Sequence, residues 1–460
     1  MNNRIVDYRI VISENACDNE KRAAAFLKNA IRLVTGSLVP LVTDGEAPVS
    51  KEIVVGVTNR EPEGFFPPRS RKGLYEYIIK NSGERCFISG MGIPETPPAE
   101  YLSAYKYVDD GAIGTLMGVY RFIEDILGYE FIYDGYAELP ENPDAYIPED
   151  YVADYTSAGL KIKEVPQIEG TSMYMTPITE FLDWNMMSFV FKTKSGKLVV
   201  IDGGMANETG NFLKLLKGLT PEGEIPTVSA WFLTHLHGDH YGVFLEIVRN
   251  YEEKYKDQIK IENYYCNLVE EEFYTTLSKE ANPGFKALRD DILGAGAVTG
   301  CTVHTVNAGD VIDIDELSFK VIHVPSMEFA DKMNMNDSSV VYKLTVDGGQ
   351  TIMFLGDAEW VCNNDLLGNH REELKSDIVQ VGHHGCGNVS AECYDAISAD
   401  VYLWQLGNRF WYGEKGEGIA THNTGVIRCR NWMKRRGIKK ENIYVNRHEL
   451  LAFKLPIEKY

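Results

Sequence analysis

Cysteine is scarce in this chain. Eight occur among 460 residues, at positions 17, 86, 266, 301, 362, 386, 393 and 429, and no two form a C-x-x-C pair. A long chain so poor in cysteine is not held by a disulfide framework, and reduced thiols in a reducing compartment are expected. Long apolar runs are missing too. A membrane-spanning helix needs about 18 or more apolar residues in succession, and no such stretch occurs. The opening M-N-N-R-I-V-D-Y-R-I-V-I-S-E has neither a long apolar core nor a cleavage site, so a cytoplasmic location off the membrane is expected. Positive charge is short: Lys and Arg total 46 against 67 Asp and Glu, a net charge of −21. Such a surface repels phosphate backbones, which excludes bulk nucleic acid as an expected partner. The one basic cluster, K-R-R-G-I-K-K at 434–440, reads as the solvated end of a helix. No internal repeat and no low-complexity tract is present.

What remains is an ordinary globular composition, 44% hydrophobic and 25% charged. The length calls for two or three domains. Residues 4–12 predict a strand, and Asp18 is placed to cap a helix over 19–35 that Gly36 ends. Ala23, Phe26, Leu27, Ala30 and Val34 give that helix its apolar face. A buried strand at 52–57, a hairpin over 75–80 and 85–89, and a second amphipathic helix at 115–127 complete an α/β unit. No cluster of His, Cys or carboxylates falls in it. Residues 136–160 are rich in Pro, Asp, Glu and Tyr, and a linker is assigned to 146–160. The expected organisation is a small α/β domain over 1–145 and a strand-rich domain over 161–460. In the second domain, 242–300 reads as a charged outer helical layer.

The chemistry lies at Thr234 to Gly242, T-H-L-H-G-D-H-Y-G. Four metal-ligand types, His235, His237, Asp239 and His240, fall within six positions after a strand-like stretch at 227–233. Residues two apart on an extended loop point the same way. His235 and His237 can therefore hold one ion, while Asp239 and His240 turn to a second. Imidazole and carboxylate are ordinary zinc ligands, and the loop has no thiolate, which disfavours a closed structural site. Three further apolar strands end in candidate residues: Asp202 before two glycines, Asp357 in L-G-D, and His383-His384 in V-G-H-H-G. Asp202 suits an oriented hydrogen bond to a ligating His. Asp357 suits a bridge between two cations. One of His383 and His384 suits a ligand, and the other a substrate or proton contact. Five of the ten histidines lie in just two of these segments, which a random scatter would not give.

The set Asp202, H-L-H-G-D-H at 235–240, G-D at 356–357 and H-H-G at 383–385 resembles the metallo-β-lactamase superfamily of metallo-hydrolases. It is most similar to the hydrolase domain of bacterial competence DNA-uptake channel proteins, whose Asn-Asp-x-Ser stretch is seen here as Asn336-Asp337-Ser338-Ser339. The resemblance covers residues 165–455. It implies an α/β protein with a C-terminal αββα metallo-β-lactamase sandwich preceded by the small α/β domain. It also implies two divalent ions, zinc first and manganese or iron as alternatives. By the same resemblance His235 and His237 sit on the first ion, Asp239 and His240 on the second, Asp357 bridges, and His383 or His384 closes the site. Asp202 orients a ligand.

One departure is visible. Many members supply another His between the loop and the bridging Asp, where this chain offers only His304 and His323. His323 stands in V-I-H-V-P and reads as a packed or turn residue, with Asn336 or Ser339 lining the gap. Cys386 reads as a small packing residue. Asp239 is expected to orient the attacking water. His384 or His422 is expected to hold the oxyanion or assist the leaving group. His370 and His448 read as exposed.

Residues 5–145 resemble the small N-terminal domain of α-glucuronidases, through V-T-G, I-V-V-G-V, I-S-G and G-V-Y-R-F-I-E-D-I-L-G-Y. That resemblance carries packing residues only, and hints at a carbohydrate setting. The expected activity is hydrolysis of an ester-like bond, leaning to a phosphodiester, in a small-molecule, sugar-phosphate or nucleotide-phosphate substrate. A lactonase or other carboxylic ester or amide hydrolase would use the same ions. A carbohydrate-associated binding protein with a vestigial metal site is the non-enzymatic alternative.

Overall fold

The computed structural model describes residues 3–69, 73–92, 113–131, 137–138, 140–179, 184–269, 284–329, 331–347, 349–387, 389–414 and 425–458. The chain divides into two compact units. One comprises Met1–Leu160, Phe181–Asp183 and Asn408–Ile427, the other Lys161–Glu180, Trp184–Gly407 and Arg428–Tyr460.

The first unit is built on a six-stranded sheet, in the order Leu41–Thr43, Arg9–Ile12, Glu52–Val55, Arg85–Gly90, Tyr77–Asn81, Val152–Tyr155. Its first three pairings are parallel and its last two antiparallel. Helices Asp18–Thr35 and Ile113–Leu127 pack on each other and on these strands. The first buries Ala23, Leu27, Ala30 and Val34, and the second buries Leu116, Val119, Tyr120, Ile123 and Leu127. The cap of the first helix is Cys17, not Asp18: the Glu20 carboxylate turns back to accept the Cys17 N–H at 3.1 Å. A charged cluster sits at the N-terminal ends of three neighbouring strands. The Glu52 side chain is fully buried, with Arg9 Nη2 at 2.7 Å, Arg85 Nε at 2.8 Å and Arg60 Nε at 3.3 Å.

Two boundary expectations differ from the structure. Residues 146–160 are not a free linker, because Val152–Tyr155 pairs antiparallel with Tyr77–Asn81. The unit also takes in a late segment. Tyr120 Oη donates to Glu414 Oε2 at 2.8 Å, Arg22 Nη2 lies 3.0 Å from Glu414 Oε1, and Trp411 Nε1 donates to Glu124 Oε1 at 3.0 Å.

The second unit is an αββα sandwich. One sheet has eight strands, its main path running Thr302–Thr305, Asn263–Cys266, Thr227–Phe232, Leu198–Asp202, Ser188–Lys192, Ser172–Met175, Leu451–Lys454. The other runs Val311–Ile314, Leu317–His323, Val341–Val346, Thr351–Phe354, Ile378–Gln380, Val401–Gln405, Ile443–Asn446. Side chains alternate across each strand. Val199, Ile201 and Phe232 enter the core between the sheets with Phe319, Tyr342 and Phe354, and the Phe232 and Phe319 rings stack at 4.4 Å. Leu198, Val200 and Trp231 face the other way, onto Phe212, Leu216, Val243 and Phe244 of the covering helices. The region 242–300 is not all helical. Lys260–Ile261 and Asn263–Cys266 are strands parallel to Thr227–Phe232, because the sheet's apolar edge outweighs the flanking charge. Among the described residues no helix is long and apolar enough to cross a membrane, and none of the eight cysteines is in a disulfide.

Candidate metal centre

Four strands of the sandwich deliver the candidate residues at their C-terminal ends. These are Leu198–Asp202 and Thr227–Phe232, a parallel pair in one sheet, and Thr351–Phe354 and Ile378–Gln380, a parallel pair in the other. After Phe232 the chain runs five residues and enters helix Gly238–Arg249, with the fifth, His237, as its N-cap. Asp239 and His240 thus stand in the first helical turn, where the helix dipole favours a carboxylate. The loop is braced from below. Gly204 N–H donates to His240 O at 3.2 Å and Val243 N–H to Gly204 O at 3.0 Å. A Cβ on Gly242 would sit 2.4 Å from the Ala206 nitrogen, so only glycine allows this approach.

Ligand atoms gather in two sets. Asp239, His240, Asp357 and His384 bring four within 4.8 Å of one another, and His235, His237 and Asp357 bring three. In the first set Asp357 Oδ2 lies 3.3 Å from His240 Nε2 and 3.6 Å from His384 Nε2, and Asp239 Oδ2 lies 3.5 Å from His384 Nε2. In the second, His235 Nε2 lies 3.0 Å from His237 Nδ1 and 3.9 Å from Asp357 Oδ2. Two tetrahedral ligands at roughly 2.0–2.1 Å from one ion stand about 3.3 Å apart, so the spacings suit an ion in each set. His240 Nε2, His384 Nε2 and Asp357 Oδ1 are buried and have no hydrogen-bond partner. Orphaned buried polar atoms are costly, and a cation would satisfy all three. The residues therefore fit a pair of ions sharing Asp357.

The groups around the sets fix which nitrogen faces inward. Asp202, at φ 62°, ends its strand. Its carboxylate accepts Thr234 N–H at 2.7 Å and Thr234 Oγ1–H at 2.9 Å, and takes the His240 Nδ1 hydrogen at 2.7 Å. A carboxylate can only accept, so one His240 hydrogen stays on Nδ1 and Nε2 is the nitrogen turned to the ions. Without a metal, burial works against the charged ring, but Asp357 and Asp202 outweigh it and raise this imidazole well above its usual range. An ion would displace the second hydrogen. His384 Nδ1–H donates to the Gln405 carbonyl at 2.9 Å, which leaves its Nε2 as the ligand atom. Ser339 Oγ accepts the Asp357 N–H at 3.0 Å. Burial pushes the His235 and His237 imidazoles below their usual range, and the neighbouring His240 adds to this at His235. Both are neutral at pH 7, as ligation requires.

His383 and His384 part ways here. Both have left-handed backbone, φ 46° and 50°, which is costly for a β-carbon-bearing residue. The turn is held by Gly385, where a Cβ would lie 2.2 Å from the Trp404 ring, and by Trp404 Nε1–H donating to His384 O at 2.6 Å. This turn sends His384 into the four-atom set and leaves His383 outside both sets. His383 Nδ1 lies 2.9 Å from Glu359 Oε1, and its Nε2 3.9 Å from Asp357 Oδ2. Asn336 Nδ2 donates to the same Glu359 oxygen at 2.9 Å, and Asn334 Nδ2 to the other at 2.6 Å. These bonds, chiefly the one from His383, overcome burial and hold the Glu359 carboxyl down to about 2.

The other sequence candidates are placed as follows. His323 pairs with Asp365 at 2.7 Å and belongs to neither set. His304 bonds Asn263 at 2.9 Å on another strand. Cys386 Sγ lies 3.6 Å from Asn185 Nδ2, also outside both sets. His370 and His448 are half-buried where exposure was expected. His422 lies outside the described residues. Sequence reasoning missed Glu359 and the Gln405 carbonyl. Glu359 stands two positions beyond Asp357, a spacing that puts both on one side of an extended segment, and that was the available signal.

Asp202→Asn tests the orienting contact. The amide preserves the turn but no longer accepts the imidazole hydrogen as an anion, and metal affinity is expected to fall roughly 10–100-fold. Competition against a chromophoric chelator reads it. An unchanged affinity would reduce Asp202 to a turn residue.

Residues 187–385 match the metallo-beta-lactamase superfamily. ComE operon protein 3 of Bacillus subtilis (strain 168) is 28% identical over 219 residues, covering 46% of this chain and 25% of that protein. This chain therefore spans about a quarter of that relative's length. Among solved structures, the metallo-beta-lactamase fold protein YhfI from Bacillus subtilis is 10% identical with a TM-score of 0.36, over 62% of this chain and 100% of that one. Zn(2+)-bound PqqB from Methylobacterium extorquens is 11% identical with a TM-score of 0.36, over 58% and 87%. CmlA, a diiron beta-hydroxylase from Streptomyces venezuelae, is 11% identical with a TM-score of 0.37, over 63% and 55%. The family match begins at residue 187, and these matches do not show the expected likeness of residues 5–145 to the α-glucuronidase domain.

Proposed function

We propose, from the premise that residues 187–385 form a metallo-β-lactamase superfamily domain, that this chain is a metal-dependent hydrolase of phosphodiesters. The observation that carries the reading is the pair of ligand sets sharing Asp357. His235, His237 and Asp357 would hold one divalent ion, and Asp239, His240, Asp357 and His384 the other. Bound divalent ions supply activation of water at neutral pH and neutralisation of developing anionic charge. The protein residues supply the rest. Asp202, Ser339 and the Gln405 carbonyl hold three ligands in register. Asp239 is placed to orient the nucleophile, and His383, at the rim on Glu359, offers a polar contact to a substrate oxygen.

The preference for phosphorus over carbon rests on the resemblance of N-D-S-S, G-D and G-H-H-G to the hydrolase domain of competence DNA-uptake proteins. The net charge of −21 favours a small sugar or nucleotide phosphate over long DNA. A cytoplasmic location fits both. Zinc is the first choice of metal for a His and Asp donor set.

The test is metal content per chain, measured beside turnover of bis(p-nitrophenyl) phosphate and of a p-nitrophenyl acyl ester. At least two ions with phosphodiester cleavage is the expected result. Cleavage of the acyl ester alone would move the assignment to a carboxylic ester hydrolase. One ion or none, with neither substrate cleaved after zinc or manganese is restored, would leave only a vestigial site.

A further inference from the structure

We propose that His323, Asp365 and His370 form a separate site for a single transition-metal dication of the zinc type, distinct from the pair at Asp357. The three ligand atoms lie within 4.8 Å of one another. Asp365 Oδ2 is 2.7 Å from His323 Nδ1 and 3.5 Å from His370 Nε2. None of the three residues belongs to either set of the first centre. Two imidazoles and one carboxylate suit zinc, iron, cobalt or nickel, and disfavour calcium and magnesium, which select oxygen.

The surroundings hold each ligand for this task. His323 ends strand Leu317–His323, and the pairing register slips between Val321 and His323. A bulge of that kind re-aims a side chain, here onto helix Trp360–Asn369. Asp365 Oδ1 accepts from Asn369 Nδ2 at 2.7 Å, which leaves Oδ2 to face the two imidazoles. His370 Nδ1 stands 3.4 Å from Glu373 Oε1, and Glu373 is itself paired with Lys320. With its hydrogen on Nδ1 toward Glu373, a neutral His370 ring presents the Nε2 lone pair to the side of Asp365. A cation between His370 Nε2 and Asp365 Oδ2, 3.5 Å apart, would take that lone pair. Carboxylate–histidine support behind a ligand is the usual outer arrangement of a metal site. On the other ring, His323 Nδ1 donates to Asp365 Oδ2 at 2.7 Å, and a cation bound at Nδ1 displaces that hydrogen to Nε2, as ligation of imidazole requires.

The site joins the C-terminal end of helix Trp360–Asn369 to a strand end. The residue that caps the helix's other end, Glu359, holds His383 beside Asp357. A dication here would therefore fix the helix that carries one wall of the first centre. The role is structural, and no substrate contact is assigned to it.

Cobalt(II) titration of the chelator-stripped full chain, followed by its visible absorption, tests this. The wild type is expected to take up three ions. His370→Gln, and His370→Gln with Asp365→Asn, should each take up one fewer, with initial turnover within about twofold of wild type at saturating metal. In an Asp357→Asn background one tight ion should survive, and adding His370→Gln should abolish it. The single His370 change lies on a half-buried residue and is expected to fold, which circular dichroism checks. Equal uptake with and without His370, in both backgrounds, overturns the proposal. Failure of the centre at Asp357 shows separately, as cobalt uptake that Asp357→Asn does not change.

Discussion

Asp357→Asn is expected to empty both ion sites at once and to lower turnover by at least about a thousandfold, equivalent to roughly 4 kcal/mol. Asp357 is the one residue common to both ligand sets. Asparagine keeps the shape but replaces one charged oxygen with an amide NH₂, which cannot ligate a cation. The site is buried, so no water easily replaces the lost charge, and His240 Nε2 and His384 Nε2 are left facing a neutral group at 3.3 and 3.6 Å. The Ser339 hydroxyl still accepts the backbone N–H of residue 357, so the fold should hold. A variant of one set only, such as His237→Gln, should lose a single ion. Elemental analysis beside turnover distinguishes the cases. Full metal content with full turnover in Asp357→Asn would end the two-ion assignment.

The largest expected stability effect lies in the other unit. Glu52→Ala should cost about 3–5 kcal/mol, as removal of one partner from a buried ion cluster does. Three guanidinium groups, from Arg9, Arg60 and Arg85, converge on a carboxylate with no exposed surface. Without it the buried Arg60 loses its carboxylate and the three like charges are left side by side at the strand ends. Burial works against the charged carboxyl, but hydrogen bonds from Arg9 and Arg85 outweigh it and hold Glu52 below the usual carboxylate range. The sign of the pH effect follows. A lowered folded-state value contributes stability above the unfolded value, near 4.3, and that contribution is lost as pH falls below it. The gap between wild type and Glu52→Ala should therefore narrow in acid. Urea midpoints at pH 7 and pH 3.5 measure it. A difference under about 1 kcal/mol at pH 7 would mean the cluster is solvated, as surface pairs are.

The ion ligands were legible in the sequence because four donors fall within one loop and the others each end an apolar strand. Local spacing carries that signal without knowledge of the fold. The division of labour between His383 and His384 was not legible. It depends on two left-handed residues and on the Trp404 ring against Gly385, which no periodicity reveals. Glu359 was hidden for a related reason: it opens a helix, and its partners Asn334, Asn336 and His383 come from two other segments. The cluster of His323, Asp365 and His370 needs a bulge and a helix end to meet, so the sequence read its histidines one by one. The sandwich followed from strand runs separated by helices, while Asn263–Cys266 was lost among charged neighbours. Tertiary pairing decided that strand, not propensity.

The membership of Asn408–Ile427 in the first unit has a consequence for how the protein is made. A ribosome emits residues in order, at roughly 5–20 per second, so residue 408 follows residue 160 by on the order of ten to fifty seconds. Throughout that wait the nascent first unit has no Glu414 for Tyr120 and Arg22, and no Trp411 for Glu124. The sandwich is synthesised, nearly whole, before its predecessor can be finished. Nascent-chain protease resistance of the leading segment should accordingly arise late, and a polypeptide released at residue 160 should behave as an unfinished intermediate that chaperones would hold.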